Sequence, residues 1–156
     1  MQKKETKNLF KASWKYSEAL ESASHTQIQK KYDLYIDGKF KKPVKGKYFD
    51  TINPANEEKI STVAEATSED IDLAVKAARK AFRGWSKLSG RERGKYIFRI
   101  ARLIQERARE FAVIESMDGG KPIRESRDID IPLAANHFFY YAGWADKLEF
   151  AFPNKN

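Results

Sequence analysis

The chain is 156 residues long, 41% hydrophobic and 33% charged, with a formal net charge of +8 and no cysteine. This length fits one domain, the apolar content is too high for a disordered chain, and no apolar run approaches the roughly 18 residues of a transmembrane helix. The missing cysteines exclude a disulfide framework, a thiolate-ligated zinc and a thiol nucleophile.

The N-terminal stretch MQKKETKNLFKASWKYSEAL is basic but has no apolar h-region, which argues against a secretory signal. Its scattered Glu and absent Arg argue against an organelle transit peptide. Residues 1–50 carry 12 Lys against 6 acids, so most of the positive charge lies here. Residues 8–23 read as a loosely amphipathic helix with Phe10, Trp14 and Leu20 near one side, and HTQIQKK follows as a linker. In YDLYIDGKF, Leu34 and Ile36 alternate with polar residues, and Asp37-Gly38 is a hairpin turn signal. Pairing is expected to continue through KYFDTINP to Asn53-Pro54, with a third short strand in ISTVAEA carrying Ile60 and Val63.

The period then changes. Apolar residues at 71, 74, 75, 78, 81, 82 and 85 form a 3.6-residue stripe, capped by Thr67 or Ser68 and led by Glu69, Asp70 and Asp72. A second helix opens at Ser89, in capping-box spacing with Glu92. It runs through Ile97, Ile100, Ala101, Ile104, Ala108, Phe111 and Ala112 to Met117. Gly119-Gly120 ends it, because the left-handed turn there is cheap only for glycine. A third helical region follows Lys121-Pro122. Asp130 is its expected N-cap, Pro132 stands in its first turn, and the helix extends through the aromatic cluster to about Lys147. The expected fold class is α+β, mainly α: a small antiparallel β element followed by three helices.

Chemical signals are few. His25 and His137 belong to no metal-ligand spacing, and there is no P-loop, G-x-G-x-x-G or G-x-S-x-G. FFYYAGW resembles a base-stacking platform, but residues 134–145 hold no Lys or Arg, and on a helix these rings point most of the way around the axis. Core packing is the expected role, with no nucleic-acid partner. The acids Asp118, Glu125, Asp128 and Asp130 suit either helix capping and surface roles or a carboxylate pair or cation site. The Lys-rich N-terminus reads as a solvated arm rather than a membrane or nucleic-acid contact. Taken alone, the residues show no catalytic constellation.

One combination is more specific. ESMDGGKPIRESRDIDIPLAANHFFYYAGWADK resembles the aldehyde dehydrogenase superfamily, in which a helix ending E-x-x-D-x-G-K-P precedes one ending Y-Y-A-G-W-A-D-K. YDLYIDGKF resembles the family's first strand and turn, FDTINPANEEKISTVAEAT its N-P-A-x-x-E segment, and DIDLAVKAARKAFRGWSKLSGRERGKYIFRIARLI its first two helices. The resemblance runs from about Tyr32 to the end. Residues 1–31 are therefore expected to be an N-terminal extension, partly helical or flexible, and 32–156 an incomplete, N-terminal segment of the domain.

The resemblance implies an NAD- or NADP-dependent, cytoplasmic, homo-oligomeric enzyme that oxidises an aldehyde to a carboxylic acid. There, a cysteine thiolate attacks the carbonyl, hydride leaves to the nicotinamide, a glutamate activates water, and an asparagine and a backbone N–H stabilise the oxyanion. Family members are several times longer, and those groups are expected beyond residue 156. This chain is accordingly expected to be inactive alone and to bind no cofactor alone. The alternative is a docking or regulatory module on a full-length dehydrogenase. The resemblance further places substrate-entrance positions on Ile129 and Leu133, four apart on one helix face. It also places a structural Na⁺ or K⁺ at Thr51 or Ile52 and Asp118, with a further ligand outside this sequence. The partners of the aromatic helix are expected to lie largely outside it too.

Overall fold

The structure, a computed structural model, describes residues 16–153. The hairpin forms where the turn signal predicts it. Strand β2 (Leu34–Ile36) pairs antiparallel with β3 (Lys39–Lys41), leaving Asp37-Gly38 as the loop. Both loop residues have positive φ, 56° and 74°, the conformation that a tight two-residue hairpin turn demands. Tyr35 and Phe40, directly opposed, meet edge-on with ring centroids 5.1 Å apart.

The remaining strands pair among themselves rather than extending the hairpin. Strand β4 (Tyr48–Ile52) runs antiparallel to β5 (Lys59–Ala64), and β1 (Lys31–Tyr32) lies parallel to β5 on its other edge, giving the order β1-β5-β4. The antiparallel pairing expected from sequence thus holds for β2–β3 and β4–β5, and a parallel pair is added. The turn between β4 and β5 is closed by Asn53, whose side chain accepts from the Ala55 N–H at 2.9 Å.

The expected helix over 8–23 is corrected within the described part. Residues 16–22 are not helical, and only a 3₁₀ turn forms, at Ala23–His25; residues 8–15 lie outside the described residues. The stretch read as a linker engages the sheet: the Lys30 carbonyl accepts from the Thr62 N–H at 3.1 Å, and the Gln29 carbonyl from the Ser61 hydroxyl at 2.7 Å.

Helix α1 (Ser68–Trp85) starts at Thr67, where the Asp70 carboxylate accepts from the Thr67 N–H and hydroxyl at 2.9 and 2.8 Å. Asp70, 2% exposed, also accepts from the Val44 N–H at 3.0 Å, so one carboxylate ties the helix start to the segment after the hairpin. Those N–H donors, from Thr67 first and Val44 second, hold its carboxyl below the usual value. Helix α2 (Gly90–Glu106) opens with the expected Ser89–Glu92 box.

The second helix does not run unbroken to Met117. It stops at Arg107 (φ −109°, ψ 17°), and a separate α3 spans Ala108–Gly119. No glycine or proline marks the break. The change of direction follows what each half packs on, α2 on the aromatic helix and α3 on the polypeptide around residues 123–130. Gly120, at φ 72°, ends α3 as expected, and a side chain there would also strike Pro54.

The third helical region begins earlier than Asp130. A single turn, α4 (Ile123–Glu125), leads into a π turn at Ser126–Asp130 and then α5 (Ile131–Trp144). Asp130 is inside the helix and ion-pairs with Lys121 instead of capping. The physical reason is Pro132, which has no N–H to give and whose ring crowds the preceding turn. The wider π turn, with the Ile131 N–H reaching the Ser126 carbonyl, makes room for it. Helix α5 ends at Trp144, short of Lys147, and a last turn, α6, follows at Leu148–Ala151.

The core is narrow and made of small side chains. Helices α2 and α5 pack antiparallel: Gly90 sits on the backbone of Ala145, Gly94 on Ala142, and the Phe98 and Phe139 rings meet edge-on at 5.0 Å. Ala101, Ala112 and Ala135 are buried, as is Ser126, which receives a 3.1 Å hydrogen bond from Ser116. Other bulky residues stay exposed beside this seam. Tyr140 and Tyr141 are 59% and 60% exposed, and on α1 the predicted stripe stands open, with Ile71 at 56% and Phe82 at 62%. The aromatic helix is thus not covered on all sides by the described residues.

Candidate functional site

Two places gather the candidate residues. The first is a cleft of about 450 Å³ between β5, β4, α3 and the segment before β1. Thr51 and Asp118 both line it, so the fold unites two positions 67 apart in sequence. They meet because β4 runs along β5 and α3 ends at Gly120 against Pro54, just after β4. Ile52, the alternative to Thr51, is 45% exposed and is not among the cleft's walls.

The same cleft holds polar groups that sequence reading passed over. Arg107 donates from Nε and Nη2 to the two oxygens of Glu110, at 2.8 and 2.7 Å, and its guanidinium lies 5.3 Å from the Phe111 ring. That pairing lowers the Glu110 carboxyl and raises Arg107. An i,i+3 Arg–Glu pair was the available signal, but it reads equally as an ordinary surface bridge. Gln27, Gln29 and Tyr32 complete the polar wall.

As a cation site the cleft is incomplete. Of its two carboxylates, Glu110 is engaged by Arg107. Among the described residues no three His, Asp or Glu side chains converge as a ligand set. A hard cation takes several oxygen ligands, and Thr51 with Asp118 supplies only part of such a shell.

The second place is the start of α5. Leu133, 50% exposed, walls an open groove with Asn136, His137, Tyr140 and Tyr141, about 420 Å³ in volume. Ile129 is 57% exposed on the π turn and is not a wall of that groove. The π turn beside Ile129 closes an i→i+5 rather than an i→i+4 bond, so residues four apart across it do not stack as on a plain α-helix. Nearby charges are fixed in pairs. Arg127 grips Asp128 through two hydrogen bonds at 2.7 and 2.9 Å, which lowers the Asp128 carboxyl, and Lys121 is raised by its bond to Asp130.

Residues 40–155 match the aldehyde dehydrogenase family. An aldehyde dehydrogenase of Alternaria alternata is 47% identical over 117 residues, 74% of this chain and 24% of that protein. Aldehyde dehydrogenase family 2 member C4 of Arabidopsis thaliana is also 47% identical over 117 residues, covering 74% and 23%. Among solved structures, PnpE in complex with nicotinamide adenine dinucleotide superposes with a TM-score of 0.73 at 43% identity, over 74% of this chain and 24% of that one. The NAD⁺ complex of a Bacillus cereus aldehyde dehydrogenase gives 0.72 at 41% identity, over 75% and 24%. The chain spans about a quarter of the length of these relatives. With the D-G-G-K-P turn closing α3 against Pro54 and Y-Y-A-G-W closing α5, the chain belongs to the aldehyde dehydrogenase family and corresponds to its N-terminal part.

Proposed function

We propose that this chain is the N-terminal scaffold of an NAD-dependent aldehyde dehydrogenase, an enzyme oxidising an aldehyde to a carboxylic acid, and that it performs no catalytic step alone. One observation carries the reading. The apolar face of α1 and the aromatic face of α5 are exposed in a chain that spans a quarter of its relatives' length. Such contiguous apolar surface marks an interface, and the remainder of the enzyme is the partner that fits it. NAD is favoured over NADP because two of the matched structures are named as NAD complexes. The working compartment proposed is the cytoplasm. Within the whole enzyme, Leu133 and Ile129 would face the substrate entrance. Thr51 and Asp118 would supply part of an Na⁺ or K⁺ shell completed by oxygens from elsewhere.

The test is direct. The purified 156-residue chain, given a short aliphatic aldehyde and NAD, should produce no NADH at 340 nm, and aldehyde-dependent NADH would overturn the reading. The same exposed aromatics favour a second role, docking on an intact dehydrogenase. Co-purification of the chain with a full-length family member would establish that role, and its elution as a clean, stable monomer beside that enzyme would exclude it.

A further inference from the structure

The Thr51–Asp118 cleft has a wall upstream of residues 40–155. Gln27, Ile28 and Gln29 form one of its walls, upstream of residue 40 where the match begins. Two anchors hold this wall. At the sheet end, the Gln29 and Lys30 carbonyls accept from Ser61 and Thr62, and Lys31–Tyr32 joins β5 as a parallel strand. At the far end, Glu21 lies 3.5 Å from both Arg109 on α3 and Arg127 on the π turn, with its side chain only 19% exposed. The 3₁₀ turn at Ala23–His25 makes the reversal between them, held by the Ser22 hydroxyl, which accepts from the Ser24 N–H at 3.3 Å.

The two anchors differ in kind. The sheet end is backbone hydrogen bonding that continues into a strand. The Glu21 end is a pair of long ionic contacts on partly solvated arginines, and Arg127 keeps its bidentate Asp128 partner if Glu21 leaves. The far end is therefore the one that releases first. We propose that residues 21–31 are a strap whose Gln27–Gln29 stretch walls the Thr51–Asp118 cleft, latched by Glu21 across α3 and the π turn, and that unlatching Glu21 opens the cleft. This goes beyond the scaffold reading and does not depend on a cation occupying the cleft.

Because the chain has no cysteine, a single one at Ile114, on the α3 side of the cleft, gives a unique label site. In the full chain carrying Ile114→Cys, adding Glu21→Lys sets a cation against both arginines. Maleimide labelling should then speed up roughly two- to fivefold, the size of an exposed ion pair's effect on an equilibrium, and Glu21→Gln should fall between. In parallel, Glu21→Lys without the cysteine should accelerate amide exchange over residues 22–28, the stretch between the latch and the sheet anchor, while the β2–β3 hairpin keeps its rate. Equal labelling rates with and without Glu21→Lys, or exchange that rises uniformly along the chain, would overturn the proposal.

Discussion

Helices α1 and α2 have the same kind of sequence and opposite surroundings. Both begin at a capped Ser or Thr with an acid three residues on, and both repeat apolar residues at the helical period. Yet α2 is closed against α5, whereas α1 touches little beyond the hairpin strand β2 and leaves Ile71, Val75 and Phe82 in water. The difference is size, not hydrophobicity. Gly90 and Gly94 let the α2 backbone approach Ala145 and Ala142, and Ala101 further along α2 is fully buried. The bulky residues of α2 sit at the seam's edge: Tyr96 is 59% exposed, and Phe98, 52% exposed, meets Phe139 there. An apolar stripe shows that a helix wants a partner, and small residues show where a partner helix is already seated.

That contrast can be broken most sharply at Gly90, where a Cβ would lie 2.3 Å from the Ala145 carbonyl oxygen. Gly90→Val should destabilise the chain by about 1–3 kcal/mol or more, through overpacking that the backbone cannot absorb. Urea unfolding measures it, and an unchanged midpoint would show that the seam is not what holds the chain together.

Asp70 gives the next effect. It holds α1 by its end rather than its face, and its carboxyl lies below the ordinary 3.8 because the Thr67 and Val44 N–H groups favour the charged form. The folded state therefore resists protonation. Its stabilising contribution is complete above about 3.8 and disappears as pH falls through the lower folded value. Asp70→Asn should lower stability at neutral pH and flatten the loss of stability between pH 4 and the acid extreme. Thermal melts across that range would show it, and parallel curves for the two proteins would refute the tether.

The smallest effect is predicted on the open face. Phe82→Ser should change unfolding stability by no more than about 0.5 kcal/mol, because the side chain is mostly in water, while raising solubility. A loss of several kcal/mol would mean that this face is covered after all. By the same logic, each bulky apolar side chain left in water forgoes about 1.5–3 kcal/mol of burial. Closing α1 and α5 with the rest of an enzyme would recover that.

The local elements were largely legible in the residues. The Asp37-Gly38 turn, the start of α1 at Thr67, the Ser89–Glu92 box and the Gly120 terminator were read correctly because each depends on groups within a few residues of each other. The errors share a different cause. The bend at Arg107, the π turn ahead of Pro132 and the pairing of β1 with β5 depend on contacts between distant segments, which period and capping cannot register. At the candidate sites, the family resemblance singled out Thr51 and Asp118, and the fold brought them to one cleft. The Gln27–Gln29 wall and the Glu21 latch had no sequence signal, since a short polar stretch reads as a linker wherever it lies.

The sequence by itself determined the hairpin turn, the starts of α1 and α2, the end of α3 at Gly120, the lack of a thiol in these 156 residues and the family, because those follow from residue identity and close spacing. Only the tertiary structure decided which apolar surface is closed and which is left open. That choice depends on how near two backbones can come, and a few glycines and alanines set it for α2 and α5 alone.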